Sequence, residues 1–142
     1  MSNTLISYEE FTKTSEYQGF ISVNPKQGTL KVMAFTAYQA IPIMEAEVII
    51  TKKIGNDNVL FFRGKTDDSG IIDNISLPAP TSGYDADTFQ TASSTTYDLT
   101  AIHEKYTIIK KYVINMIGDV KVLQYIKMSP TTNQKGVDNS GN

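Results

Sequence analysis

Between Thr29 and Met128 the apolar residues recur at every second position. Leu30, Val32 and Ala34 alternate with Lys31, Met33 and Phe35. Ala46, Val48 and Ile50 alternate with Glu47 and Ile49, and Tyr97, Leu99 and Ala101 alternate with Asp98 and Thr100. A period of two sends successive side chains to opposite faces of an extended chain, so each run predicts a half-buried β-strand. Seven runs of this kind follow one another: Thr29–Thr36, Ala46–Lys52, Val59–Lys65, Ile71–Leu77, Thr96–Glu104, Thr107–Asn115 and Val120–Met128. Turn residues break them, as in Asn56-Asp57-Asn58, Asp67-Asp68-Ser69-Gly70 and Gly118-Asp119. Short strands punctuated in this way predict an all-β fold, a seven-stranded antiparallel sandwich of two packed sheets.

Residues 1–27 lack that alternation and are expected to form an N-terminal arm. Ser7-Tyr8-Glu9-Glu10 predicts a capping box that opens a short helix. Gly19-Phe20-Ile21-Ser22-Val23 reads as a further strand. Asn24-Pro25-Lys26-Gln27-Gly28 is a turn that separates the arm from the sandwich, residues 28–130. Pro78 to Thr95 is a long polar loop, and loops of that length carry function or move. Residues 131–142 are polar and without period, and are expected to be a disordered tail.

Composition narrows the picture. The chain has 142 residues, 40% apolar and 20% charged, with a net charge of −2. That suits one globular domain, gives no general attraction to nucleic acid, and offers no apolar run long enough to span a bilayer. No secretory signal is recognisable at the N-terminus, so synthesis in the cytoplasm is expected. Cysteine is absent, which excludes disulfides, thiolate chemistry and thiolate metal sites.

Three pieces of the pattern carry a resemblance. They are Gly28-Thr-Leu30-Lys-Val32-Met-Ala34, Pro42-Ile43-Met-Glu-Ala46-Glu-Val48, and Thr66-Asp67-Asp68-Ser69-Gly70; Tyr97-Asp-Leu99-Thr-Ala101 through Tyr106 adds a fourth. In order and spacing they resemble the carboxypeptidase-regulatory-like family, a transthyretin-type (prealbumin-type) sandwich, over about Gly28 to Pro130. Lys105 stands where that family usually has glycine before the tyrosine. Phe35-Thr36-Ala37, Ile41-Pro42-Ile43, Leu77-Pro78-Ala79-Pro80 and Met128-Ser129-Pro130 are similar to the version found in spore and cell-envelope proteins of Gram-positive bacteria. Some of those sit beside spore cortex-lytic peptidoglycan hydrolases. The resemblance implies a structural or accessory role and brings no catalytic residue with it.

Candidate chemistry is sparse. His103 is the one histidine and has no converging partner set, so a structural role is expected. Asp67-Asp68-Ser69-Gly70 has oxygen ligands that suit calcium, but the same residues are ordinary turn chemistry. An isopeptide bond would need Lys31, Glu45 or Glu47, and Asn115 together, and alternation turns Lys31 to solvent. No nucleophile elbow and no phosphate-binding loop is present. No catalytic, metal or cofactor residue is therefore predicted, and the chain reads as not an enzyme. What alternation leaves outside is more informative: Met33, Phe35 and Ile49 face away from the core. Phe11, Tyr17, Phe20 and Ile21 of the arm either cover them or meet a partner. Tyr84 and Phe89 in the long loop are candidates for stacking on a sugar. The expected function is a non-enzymatic structural protein of a spore or cell-envelope surface, self-assembling by adding the arm as a strand to a neighbour. The expected partner is itself or another envelope protein, with no nucleic acid and no membrane insertion. Alternatives are an accessory module of a cortex-lytic hydrolase and a carbohydrate-binding module.

Overall fold

A computed structural model describes residues 4–38, 40–81, 84–85, 90–91 and 94–129. In chain order the elements are β1 (Thr4–Ser7), α1 (Tyr8–Phe11), α2 (Glu16–Val23), β2 (Lys26–Thr36), β3 (Glu47–Ile54), β4 (Asp57–Lys65), β5 (Ile71–Ala79), β6 (Tyr84–Asp85), β7 (Gln90–Thr91), β8 (Thr95–His103), β9 (Tyr106–Met116) and β10 (Lys121–Met128). A five-stranded sheet runs β1-β4-β3-β8-β9 and packs against a three-stranded sheet, β10-β2-β5; β6 and β7 pair only with each other. The expected tail, 131–142, lies outside the described residues.

The alternation decides the core. Leu30 and Val32 from β2, Val48 and Ile50 from β3, and Leu99 and Ala101 from β8 are fully buried between the sheets. Ile114 and Met116 from β9 and Ile126 and Met128 from β10 complete that layer. Tyr97 is buried among them, and its hydroxyl donates to the Pro78 carbonyl at 2.6 Å, so burying the ring strands no polar group. Burial raises the Tyr97 phenol well above its ordinary value.

The all-β sandwich is as expected, with eight strands in its two sheets where the pattern predicts seven. The eighth is β1, contributed by the arm. Two pairings are parallel where an antiparallel sandwich is expected, β1 with β4 and β10 with β2; neither pair is joined by a hairpin, which leaves either direction open. Gly19–Val23 is helical, not extended. A short run holding Phe20, Ile21 and Val23 fits a strand or a buried helix equally well, and packing of Phe20 against Phe11 settles it here. The capping box at Ser7 forms as expected: its hydroxyl accepts from the Glu10 amide, and the Glu10 carboxylate accepts from the Ser7 amide, each at 3.1 Å.

Residues of the arm build a second apolar cluster, separate from the main core. Phe11, Phe20 and Val59 are its buried members, with Ile6, Tyr8, Tyr17, Ile21 and Ile54 around them. A β-bulge links the two clusters. Ile50 pairs with Phe62 and Thr51 with Leu60, leaving Phe61 as the extra residue of β4. Its ring lies 5.1 Å from Tyr8, 5.8 Å from Phe20 and 5.0 Å from Tyr97. Asn24 closes the seam where α2 gives way to β2. Its buried side-chain amide donates to the Phe20 carbonyl at 2.9 Å, and its oxygen accepts from the Thr95 hydroxyl.

Candidate interaction surface

The five-stranded sheet ends differently on its two sides. On one side β1 lies along β4, with Leu5 opposite Asn58 and Ile6 opposite Val59, and the arm helices close over the Val59 and Phe61 side chains. On the other side, among the described residues, β9 pairs only with β8, and in the second sheet β10 pairs only with β2. β9 and β10 lie next to one another at this flank: the Lys127 amide donates to the Tyr112 hydroxyl at 3.3 Å.

Both edge strands expose apolar side chains, Val113 of β9 on the outer face of the five-stranded sheet and Leu123 and Tyr125 of β10 on the outer face of the three-stranded sheet. Ile108, Ile109 and Val113 on β9 are 55%, 51% and 64% exposed, and Leu123 and Tyr125 on β10 are 51% and 49% exposed. Lysines stand among them: Lys110 and Lys111 on β9, Lys121 and Lys127 on β10, with no carboxylate in either strand. Lys121 reaches Asp73 at 3.2 Å across β2. The Asp73 carboxyl is held below its ordinary value, first by the Asn74 amide and then by Lys121. Apolar patches ringed by polar residues mark contact surfaces.

The structure separates the residues that the sequence singles out. Met33 and Phe35 are half-buried on the outer face of the three-stranded sheet, beside the flank, with Phe35 5.9 Å from the Tyr125 ring. Ile49 lies on the outer face of the other sheet, between Arg63 and Thr100. Phe11 and Phe20 are buried in the second cluster, with Tyr17 and Ile21 packed against it. The arm thus covers β4 and not Met33, Phe35 or Ile49. Phe89 lies outside the described residues, and Tyr84 is placed only by its backbone pairing with Thr91. Leu123, Tyr125 and Val113 were not legible as outward residues, because both parities of their strands carry apolar side chains.

The chemistry-bearing residues have local work. His103 accepts from the Lys105 amide at Nδ1, which puts the proton on Nε2; that nitrogen donates to the Met44 carbonyl, both at 3.0 Å. The ring pins the β8–β9 turn to the 43–46 segment. A cleft of about 240 Å³ beside it is lined by Glu45, Glu47, Lys65 and Glu104. Among the described residues no group of three acidic or histidine side chains could hold a metal. The Asp67 carboxylate accepts from the Ser69 and Ile71 amides, each at 2.9 Å, a turn closed by Gly70 at φ +76°. Thr66, before it, is buried; its hydroxyl accepts from the Ala46 amide and donates to the Ile43 carbonyl. Lys31 and Asn115 sit on the outer faces of opposite sheets, so an isopeptide bond between them is impossible. Lys52 turns inward, donating to the Thr96 carbonyl at 2.8 Å below the Tyr97 ring. Burial lowers its pKa, against the pull of Asp98.

No helix among the described residues is long and apolar enough to cross a membrane. No family model matches the chain. No curated protein matches it. Among solved structures, the 5-hydroxyisourate hydrolase of Klebsiella pneumoniae is similar, with a TM-score of 0.51 and 17% identity over 72% of this chain and 90% of that one. An (S)-allantoin synthase gives a TM-score of 0.43 at 10% identity, covering 76% of this chain and 44% of that one. The expectation that this chain is not an enzyme is corrected here. A solved structure similar to it is a 5-hydroxyisourate hydrolase, so the fold gives no ground for that expectation. What the likeness shows is the fold: the chain is a transthyretin-like β-sandwich.

Proposed function

We propose that this chain is an assembly module, which works by holding a protein partner against the flank formed by β9 and β10. The observation that carries the reading is that both edge strands expose apolar side chains, Val113 of β9 on the outer face of the five-stranded sheet and Leu123 and Tyr125 of β10 on that of the three-stranded sheet. Edge strands present unpaired backbone groups, and apolar side chains beside them add the area that a contact needs. A setting in a spore or cell envelope is supported by the sequence resemblance alone.

The reading is tested by a photo-crosslinking side chain placed at Val113 in the cells that make the protein, with the exposed Ser76 of β5 as control. A protein adduct is expected at Val113 and not at Ser76. No adduct at Val113, or equal adducts at both positions, overturns it.

A further inference from the structure

The outer face of the five-stranded sheet is not flat. A cleft of about 440 Å³ crosses it, lined by residues of β1, β4, β3, β8 and β9. That volume suits a small ligand. Leu5, opposite Asn58 of β4, bounds it on the arm side, and Val113 of β9 bounds it on the other. Both of these apolar side chains are exposed.

The floor beside Val113 is polar, and register orders it in pairs. Thr51 of β3 stands opposite Asp98 of β8, and Thr100 of β8 stands opposite Lys111 of β9. Opposite residues on one face have Cβ atoms roughly 5 Å apart, and the diagonal from Asp98 to Lys111 is about 7 Å. One corner therefore offers a carboxylate beside a hydroxyl, and the next an ammonium beside a hydroxyl. The ion pairs among the described residues are Arg63 with Glu47 and Lys121 with Asp73, and neither Asp98 nor Lys111 is in one. Lys52, a cation that feels Asp98, is held inward by the Thr96 carbonyl. Val113 lies opposite Asp98 and two residues from Lys111, so an apolar surface adjoins both charges.

We infer that this cleft binds a free α-amino acid with an aliphatic side chain. The ligand's ammonium donates to the Asp98 carboxylate and the Thr51 hydroxyl, and its carboxylate accepts from the Lys111 ammonium and the Thr100 hydroxyl. Its side chain lies on Val113. Charge selects the class: a neutral ligand leaves both Asp98 and Lys111 uncompensated, and a simple anion or cation meets one of them with like sign. The lining charges are exposed, so the affinity is modest, with a Kd on the order of 1 mM. This goes beyond the assembly reading and does not rest on it.

Amide chemical shifts of the isotope-labelled full chain, titrated with leucine, test the inference. Saturable shifts are expected at Thr51, Asp98, Thr100, Lys111 and Val113. N-acetylleucine lacks the ammonium and leucinamide lacks the carboxylate, and each should bind about tenfold more weakly. Asp98→Asn and Lys111→Gln should each weaken leucine by a similar factor. Both side chains are exposed, and unchanged shifts in the buried strands will show that the fold is kept. Exchanging the charges, Asp98→Lys with Lys111→Asp, should bring binding back with the ligand reversed. Val113→Ser should cost leucine more than glycine. No saturable shift at the cleft up to about 50 mM leucine overturns the inference. Equal binding of leucine and either of its one-charge analogues does so too. A neutral disaccharide that shifts these residues where leucine does not also overturns it, and makes the cleft a sugar site.

Discussion

The closed and the open flank of this sandwich protect the same kind of exposed edge by different means. Along β4 the unpaired backbone is covered: β1 adds a strand, and α1 and α2 bury Phe11, Phe20 and Val59 over the adjoining apolar surface. Along β9 and β10 no element is added among the described residues, and lysines stand between exposed aliphatic side chains. Covering an edge builds stability into the fold and withdraws that edge from partners. Guarding it with charge contributes little stability and leaves the edge open to any surface of opposite sign. Stability should therefore be concentrated on one side of the molecule and association on the other.

The strongest way to break that contrast is Phe11→Ala. It empties a buried site between the Tyr17 and Phe20 rings, and a change of this type costs about 3–5 kcal/mol. Denaturant unfolding should show the loss, and hydrogen exchange should show it first in residues 4–23. Asn24→Ala comes next. It removes the amide that caps the Phe20 carbonyl and the oxygen that takes the Thr95 hydroxyl, and leaving such buried groups unpaired costs about 1–3 kcal/mol. Ser7→Ala removes half of the capping box, worth about 1 kcal/mol, and should raise proteolysis within the arm before any other segment. On the open flank, Val113→Thr with Leu123→Ser should move the unfolding midpoint by no more than about 0.5 kcal/mol, as is usual for exposed positions. A large stability loss there would dissolve the contrast.

The last difference is silent at neutral pH. The Tyr8 phenol on the closed flank is pushed up to about 12, first by burial and then by its bond and proximity to Tyr17. A raised folded pKa means that the unfolded chain ionises first. The contribution is complete below pH 10 and is lost as pH rises from 10 through about 12. Tyrosinate absorbance should appear together with exposure of residues 4–23, and tyrosinate appearing with the arm still protected would contradict this.

The sandwich was legible because burial follows parity: once Leu30, Val32 and Ala34 point inward, the sheet has a defined face. The arm was harder. Its capping box is a local code, readable from Ser7 and Glu10 alone, whereas β1 needs a partner strand some fifty residues on, and no local pattern announces that. The helix at Glu16–Val23 was hidden by a short apolar run that suits either structure. The open flank was the least legible part. In β10, Val122, Ile126 and Met128 share one parity and Leu123 and Tyr125 the other, so alternation cannot say which face is buried until β2 pairs with it.

That pairing also sets an order of events. The β10–β2 ladder joins Thr29 to Lys121, so the middle strand of the smaller sheet waits for the last strand of the sandwich. Contacts so distant along the chain form slowly, because a long loop must close before they repay its entropy. On the ribosome, β2 would emerge and find β5 early, yet its other edge would stay bare until β10 cleared the exit tunnel. The nascent chain therefore passes through a stage in which an apolar strand is half-dressed, and cells that make much of this protein have reason to shield it then.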